Sequence, residues 1–240
     1  MTGWLSVDPL ADKYSSISPY AYCAWNPINL VDPNGKKIKG VKYNSYTGTY
    51  SFSKWAIKNG TSCFVNELIK TDKGIEILNG LMVSPTIYKV RVTDLPLFGT
   101  SINGGKFIQF GGRFVEKHNT IWISTAMKIN ENKHGKSIKG YYFDPVTDEW
   151  TKQSIKCSEI ESNINDIYNE YNRAYKDSGM YDFEQNPKNQ YNSTAEIIHG
   201  RGVHEGTHAL QDPQKDDYSR EYEALKNEQE ARTQYKEVCP

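Results

Sequence analysis

The sequence predicts a mixed α+β fold with a modest core, and three observations lead to that prediction. Strand-like runs and hairpin turns dominate the middle of the chain, roughly residues 37–155. Helical segments with capping residues dominate the C-terminal part. The chain is only 37% hydrophobic but 12% aromatic, with 17 tyrosines, whose rings can build a core while their hydroxyl groups reach polar partners.

Charge and composition exclude several classes of protein. The 29 basic and 29 acidic side chains give a net charge of zero, which does not favour bulk electrostatic binding to nucleic acid. No stretch approaches 18 apolar residues, so we expect no membrane-spanning helix. Residues 1–5 lack the charged and apolar regions of a secretion signal. The four cysteines are widely spaced without a C-x-x-C pair, which argues against a zinc knuckle or redox pair. Free thiols are favoured, and the spacing does not decide on disulfides.

The first 36 residues differ from the rest because they are rich in X-Pro steps, which favour extended segments and turns. Two runs within them, WLSVDPLADKY and SPYAYCAWNPINLVDPNG, resemble the end of the RHS-repeat-associated core of bacterial polymorphic toxins. The resemblance implies that residues 1–36 are a remnant of that core and that residues 37–240 are the toxin domain. It also implies export as part of the toxin, activity in a target cell and a cognate immunity protein as a partner. Without such export, the absence of a signal peptide predicts a cytoplasmic protein.

The elements of the middle region follow from local patterns. A hairpin is expected around residues 46–48, and a helix over 71–82 has Thr71 as its cap. A second helix is predicted over 159–177 from a capping box of Ser158 and Glu161, followed by a loop over 178–192. The remaining predicted strands are 87–92, 106–110, 120–124, 141–143 and 149–151, the last two forming another hairpin.

The segment that carries chemistry is a helix predicted to start near residue 194. Ser193 and Glu196 form a capping box, and Asp212-Pro213 ends the helix. Inside it lies His204-Glu205-Gly206-Thr207-His208, which is H-E-x-x-H. The opposite face carries small or apolar residues that can pack on a sheet: Val203, Gly206, Ala209 and Leu210.

This spacing favours a zinc site. Residues four apart lie one above the other on a helix, so His204 and His208 can bind one Zn²⁺ ion. Zinc lowers the pKa of a bound water toward about 7. Glu205, next to the first histidine, is then the predicted general base that takes the proton from this water and passes it to the leaving nitrogen.

A third ligand is expected from the acidic helix predicted between Asp216-Asp217 and Tyr235. If the two helices run antiparallel, the level of the histidines favours Glu221 or Glu223 over Glu228. The run Glu221-Tyr222-Glu223-Ala224 resembles the E-x-x-A pattern of gluzincin metallopeptidases, and this resemblance implies Glu221 as the ligand. The same pattern recurs at Glu228, whose distance along the chain from His208 is closer to that of several gluzincins, so all three candidates stay open.

The resemblance implies a zincin-like fold, in which a small mixed sheet packs against the H-E-x-x-H helix and a Glu-bearing C-terminal helix. The predicted function is that of a zinc-dependent endopeptidase, the toxin tip of an RHS protein, acting on a protein or peptide substrate. The alternative is a catalytically inactive remnant that acts as a binding module. A nuclease is not favoured, since no H-N-H-like cluster or basic surface is present.

Three further expectations concern the surroundings of the site. Strand 120–124 is the predicted sheet edge that would hold a substrate peptide by strand addition. His199 lies off the metal face and is expected behind the ligands or on the surface. Tyr218 and Tyr222 are candidates for stabilising an oxyanion.

Overall fold

The computed structural model describes residues 38–44, 46–100, 107–126, 136–160 and 169–239. The predicted RHS-core segment and its boundary at residue 37 lie outside these residues. Along the described chain the strands and α-helices follow in this order: β1 (Val41–Asn44), β2 (Thr49–Phe52), α1 (Lys54–Lys58), α2 (Thr61–Leu68), α3 (Asp72–Val83), β3 (Lys89–Thr93), β4 (Leu97–Thr100), β5 (Phe107–Phe110), β6 (Gly112–Val115), β7 (Thr120–Ser124), β8 (Ser137–Asp144), β9 (Glu149–Lys156), α4 (Asn169–Asp177), α5 (Met180–Gln185), α6 (Thr194–Leu210) and α7 (Asp217–Val238).

The predicted mixed α+β class is confirmed. Besides the β1–β2 hairpin, the strands form a three-stranded sheet with the order β3-β7-β6 and a four-stranded sheet with the order β5-β4-β8-β9. Both sheets are mixed, because β3 is parallel to β7 and β4 is parallel to β8, while the other pairs are antiparallel.

The central strand β7 joins two cores. Ile121 and Ile123 are fully buried in the main apolar cluster, together with side chains of α2, α3 and α6. Trp122, between them, belongs instead to an aromatic cluster with Phe143 and Trp150 of the four-stranded sheet. This is the alternation of a strand that is covered on both faces.

The prediction that strand 120–124 is a sheet edge is wrong. β7 pairs with β3 on one side and with β6 on the other, so β3 and β6 are the edge strands. All five residues of β7 are buried, as expected for a central strand. Strand order depends on long-range pairing, which a local pattern does not report.

Several local predictions are confirmed. The first hairpin pairs Val41 with Phe52, and its turn uses Gly48 at a φ of 66°, a left-handed conformation that glycine adopts without strain. Thr71 caps α3 by accepting a hydrogen bond from the backbone N–H of Gly74 at 3.0 Å. The second predicted hairpin is the β8–β9 pair.

Two predictions in the region after β9 need correction. Residues 157–159 form a short 3-10 turn, and Ile160 is extended and bridges to Phe107, so no helix begins at residue 159. Residues 161–168 lie outside the described chain, and α4 begins at Asn169. The predicted loop over 178–192 contains the short helix α5, which Met180 stabilises by burial against Ala174 and Leu225.

The two long C-terminal helices begin where the sequence predicts. The Ser193 hydroxyl accepts from the Glu196 N–H at 3.1 Å, and the Asp216 carboxylate accepts from the Ser219 N–H at 2.9 Å. The Glu196 carboxylate accepts from the N–H of Asn192, one residue before the position of a standard capping box. Among the described residues, no helix is both long and apolar enough to cross a membrane.

Candidate metal centre

Helix α6 places the two histidines of the motif side by side. Their ring centroids are 4.9 Å apart, and the two Nε2 atoms are 3.2 Å apart. The cause is the helical repeat, which stacks residues i and i+4 on one face. Two ring nitrogens therefore point to the same spot, as the spacing predicts.

Helix α7 brings Glu221 to that spot. Its Oε1 lies 3.5 Å from Nε2 of His204, and its Oε2 lies 3.2 Å from Nε2 of His208. One ligand atom from each of the three residues lies within 4.8 Å of the others. Ala224, one turn further along α7, is fully buried.

The other two candidate carboxylates occupy different places. Glu223 is paired with Lys215 at 2.9 Å and accepts from Nε2 of Gln211 at 3.1 Å. Glu228 is buried, and its Oε2 lies 3.1 Å from Nδ1 of His204, the ring nitrogen on the far side from Glu221. This is a close charge contact rather than a well-aligned hydrogen bond. Of the three carboxylates, only that of Glu221 faces both Nε2 atoms.

The second histidine also has a partner behind it. Nδ1 of His208 lies 2.9 Å from Oε1 of Gln211, while Nε2 of Gln211 donates to the backbone carbonyl of Arg220 at 2.8 Å. Because this amide donates through nitrogen, its oxygen is left to accept from the imidazole, which leaves Nε2 of His208 free to ligate. Sequence reasoning missed Gln211; the signal was an amide three residues after the second histidine, at the helix end.

Glu205 lies between α6 and the edge strand β6. Its side chain is buried, and a Cβ built on Gly112 of β6 would lie only 2.6 Å from its Cγ. Glycine at 112 therefore makes room for this carboxylate. Burial raises the pKa of Glu205 above its usual value, although His204 and His208 oppose the shift.

The electrostatics of the centre favour a cation. Burial alone would lower the pKa of His204, but the carboxylates of Glu221 and Glu228 outweigh it and raise the pKa to about 10. For Glu228, burial raises the pKa, but the contacts with His204 and Arg232 hold it at about 2. The same field that favours a protonated imidazole favours a metal ion between the ligands.

Two observations support a fit to Zn²⁺. Two imidazole nitrogens and one carboxylate oxygen are donors that zinc accepts, and three protein ligands leave a coordination position open. In addition, Oε1 of Glu221 is buried without a hydrogen-bond donor. A buried carboxylate oxygen that lacks a donor is costly, and a metal ion at this point would satisfy it.

The remaining candidates lie elsewhere. His199 is fully buried rather than on the surface; its ring nitrogens lie 2.9 Å from the Glu67 carbonyl and 3.1 Å from the Thr71 hydroxyl. Tyr218 donates to Asp177 at 2.7 Å and stacks on Tyr222, and both pack in the α4–α5–α7 cluster. Neither tyrosine is among the contacts of the metal ligands described above.

Comparisons with protein-family models, with curated proteins and with solved structures find no match for this chain. The resemblances of residues 1–35 to the RHS core and of residues 204–224 to gluzincins therefore stay predictions. The mixed α+β architecture is observed, and the zincin-like fold is a proposal that rests on the arrangement of β6, α6 and α7.

Proposed function

We propose that residues 37–240 form a zinc-dependent endopeptidase domain, the toxin tip of an RHS protein. The observation that carries the metal-dependent part is the convergence of His204, His208 and Glu221, with Glu205 buried beside them. The toxin context rests on the resemblance of residues 1–35, which also supports export within the toxin and a cognate immunity protein.

The division of labour among the residues follows from their contacts. His204, His208 and Glu221 would hold Zn²⁺, which when bound polarises a carbonyl oxygen and acidifies a water molecule. Glu228 and Gln211 face the Nδ1 atoms of the two histidines and so direct both Nε2 atoms toward the metal. Glu205 takes the proton from the attacking water and delivers it to the nitrogen of the leaving amine.

The edge strand β6 is the surface that suits a peptide substrate. It pairs with β7 on one side only within the described sheet, and its first residue, Gly112, contacts Glu205. A peptide that added to β6 would form main-chain hydrogen bonds and run past the general base. We therefore assign the binding of a substrate peptide to β6 and not to residues 120–124.

An ion pair joins the end of β6 to α7. Glu116, directly after β6, accepts from Arg220 at 2.7 Å, and Arg220 directly precedes Glu221. A peptide that extends beyond this end must displace the pair or turn away from it.

The decisive experiment is Glu205→Gln, which keeps the size of the side chain but removes the base. We expect zinc content, measured by elemental analysis after native purification, to match that of the unchanged protein. Peptide cleavage should fall by about 10²–10⁴-fold, and toxicity on expression should be lost. The matched control is Glu230→Gln, an exposed carboxylate on α7.

Two outcomes would contradict the proposal. Full toxicity or cleavage by the Glu205→Gln variant would exclude the general-base mechanism. A natively purified protein that holds no zinc and takes none up would favour the alternative of an inactive binding module.

A further inference from the structure

The described chain contains a buried arginine directly behind the metal centre. Arg232 of α7 is 1% exposed and is the largest of its fully buried side chains. Its guanidinium contacts Glu184 at 3.0 Å and Glu228 at 3.4 Å, and it donates to the Asn189 carbonyl. It also lies over the Tyr191 ring, with 3.8 Å from its central carbon to the ring centroid. A buried charge is costly, so this arginine needs a compensating arrangement.

Glu228 connects this arginine to the ligand His204. One oxygen, Oε1, accepts from the Tyr191 hydroxyl at 2.5 Å and faces Arg232, while Oε2 faces Nδ1 of His204 at 3.1 Å. The Tyr191 hydroxyl and Arg232 thus hold Oε1, which leaves Oε2 in charge contact with His204. We call Glu184, Tyr191, Glu228 and Arg232 the Arg232 cluster.

The backbone of α6 leaves room for this cluster at Gly200. A Cβ built there would lie 2.7 Å from the Tyr191 hydroxyl and 3.0 Å from Cγ of Arg232. The segment 184–191 and α7 therefore meet against α6 one turn before His204. The cluster therefore links the segment before α6 to the second half of α7.

We propose that Arg232 is a positioning residue of the metal centre. By neutralising Glu228 and fixing its orientation, it makes this carboxylate the partner of Nδ1 of His204 and so directs Nε2 toward Glu221. It also keeps Glu228 away from the ligand position, so that the open coordination site is preserved. The inference rests on the metal-binding part of the proposed function and does not depend on peptidase activity.

The physical basis is the effect of outer contacts on ligand histidines. A carboxylate behind an imidazole fixes the tautomer and ring orientation, and its loss costs about 10–100-fold in metal affinity. Without Arg232, Glu228 would be a buried carboxylate with one counter-charge fewer, free to rotate toward the metal. A merely structural arginine would change the stability of the fold but not the coordination of the ion.

The test measures Zn²⁺ affinity by competition with a chromophoric chelator and records the visible spectrum of the Co²⁺-substituted protein. We expect Arg232→Met to weaken zinc binding about 10–100-fold and to change the Co²⁺ spectrum. Arg232→Lys, which keeps the charge, should recover part of the affinity. Tyr191→Phe removes only the hydroxyl that holds Oε1 and should weaken binding by a smaller factor. The control, Arg173→Met, changes an exposed arginine on α4 and should change neither measurement.

The outcomes separate this inference from the proposed function. A folded Arg232→Met variant with unchanged zinc affinity and an unchanged Co²⁺ spectrum would overturn the inference alone. If Arg232→Met does not fold, the polar substitution Arg232→Gln replaces it, and unchanged zinc affinity with an unchanged Co²⁺ spectrum would overturn the inference in the same way. An unchanged protein that binds no zinc would overturn the proposed function and this inference with it.

Discussion

The two sides of α6 are held in place by different forces. The back faces α2 and α3, where Gly202 and Gly206 approach Leu68 and Ile77 so closely that an added Cβ would lie 2.8 and 2.5 Å from their side-chain atoms. The front faces α7 through imidazoles and carboxylates. Steric fit positions the back, whereas charge positions the front. The candidate metal ligands His204 and His208 therefore lie on a helix whose location does not depend on their charges.

The largest effects are expected on the front, from Glu221 and Glu228 of α7, with Glu223 as the comparison. Glu221→Gln should weaken zinc binding by more than 100-fold, because it removes a ligand rather than an outer contact. Glu228→Gln should cost about 10–100-fold. Glu223→Gln should have little effect, since the Arg220 carbonyl still holds Gln211. Isothermal titration with Zn²⁺ checks this order, and a larger loss for Glu228 than for Glu221 would reverse the assignment of the ligand.

Metal removal tests whether a bound ion between α6 and α7 stabilises the folded protein. At a free zinc concentration of about 1,000 times Kd, the stabilisation is about 4 kcal/mol. For a domain of this size that corresponds to roughly 10 °C in Tm. Calorimetry with and without a chelator measures it. At the same zinc concentration, a 100-fold weaker Glu221→Gln variant should show about a third of this stabilisation or less, and an equal shift in that variant would place the ion elsewhere.

The back is tested by Gly206→Ala. The new methyl group would crowd Ile77, which costs about 1–3 kcal/mol, while alanine recovers about 1 kcal/mol of helix propensity. In an Ile77→Ala background the crowding is relieved, so the same change should become neutral or stabilising. Denaturant unfolding of the four proteins measures this coupling. Purely additive free energies of unfolding would show that steric contact does not position this side of α6.

The smallest effect is a pH dependence at His199, which lies on the back. Burial lowers the pKa of this imidazole below its usual value. As the pH falls, the unfolded chain therefore binds a proton at His199 before the folded chain does. The stability contributed by neutral His199 is complete above about pH 6.5 and decreases as the pH drops toward the pKa of the folded state. The slope is at most about 1.4 kcal/mol per pH unit for one proton.

NMR titration of the protein, kept free of metal by a chelator, checks the prediction at His199. The His199 imidazole should stay neutral at pH 6.5, and protonation above that pH would contradict it. In the chelated His199→Gln variant, the free energy of unfolding should depend less on pH between 7 and 5.5.

Local chemistry made the motif helix predictable, while contacts between distant segments decided what was missed. The N-caps Ser193 and Asp216 act on residues three positions later, and the two histidines are four positions apart. Such short-range relations can be identified in the sequence. Glu221 and Glu228 lie seven residues apart and so face α6 alike. Only the axial offset of the two helices decides that one faces Nε2 of His204 and the other Nδ1.

The same limit explains the other misses. The prediction that residues 120–124 form a sheet edge is wrong because the order of strands depends on pairing between distant segments, which the sequence of one strand does not show. The helix start at residue 159 failed because Ile160 is extended and pairs with Phe107, more than fifty residues earlier. Arg232 carries no local signal, because its partners Glu184, Asn189 and Tyr191 lie in the segment 178–192, which the sequence predicts as a loop.

The amide of Gln211 has a mechanical consequence for the centre. Through one end it contacts His208, and through the other it holds the carbonyl of the residue directly before Glu221. A displacement of α7 along α6 would therefore also act on the ring of His208, so the donor atoms of Glu221 and His208 would shift together. The Gln211 side chain thus couples the relative position of α6 and α7 to the distance between the donor atoms of His208 and Glu221.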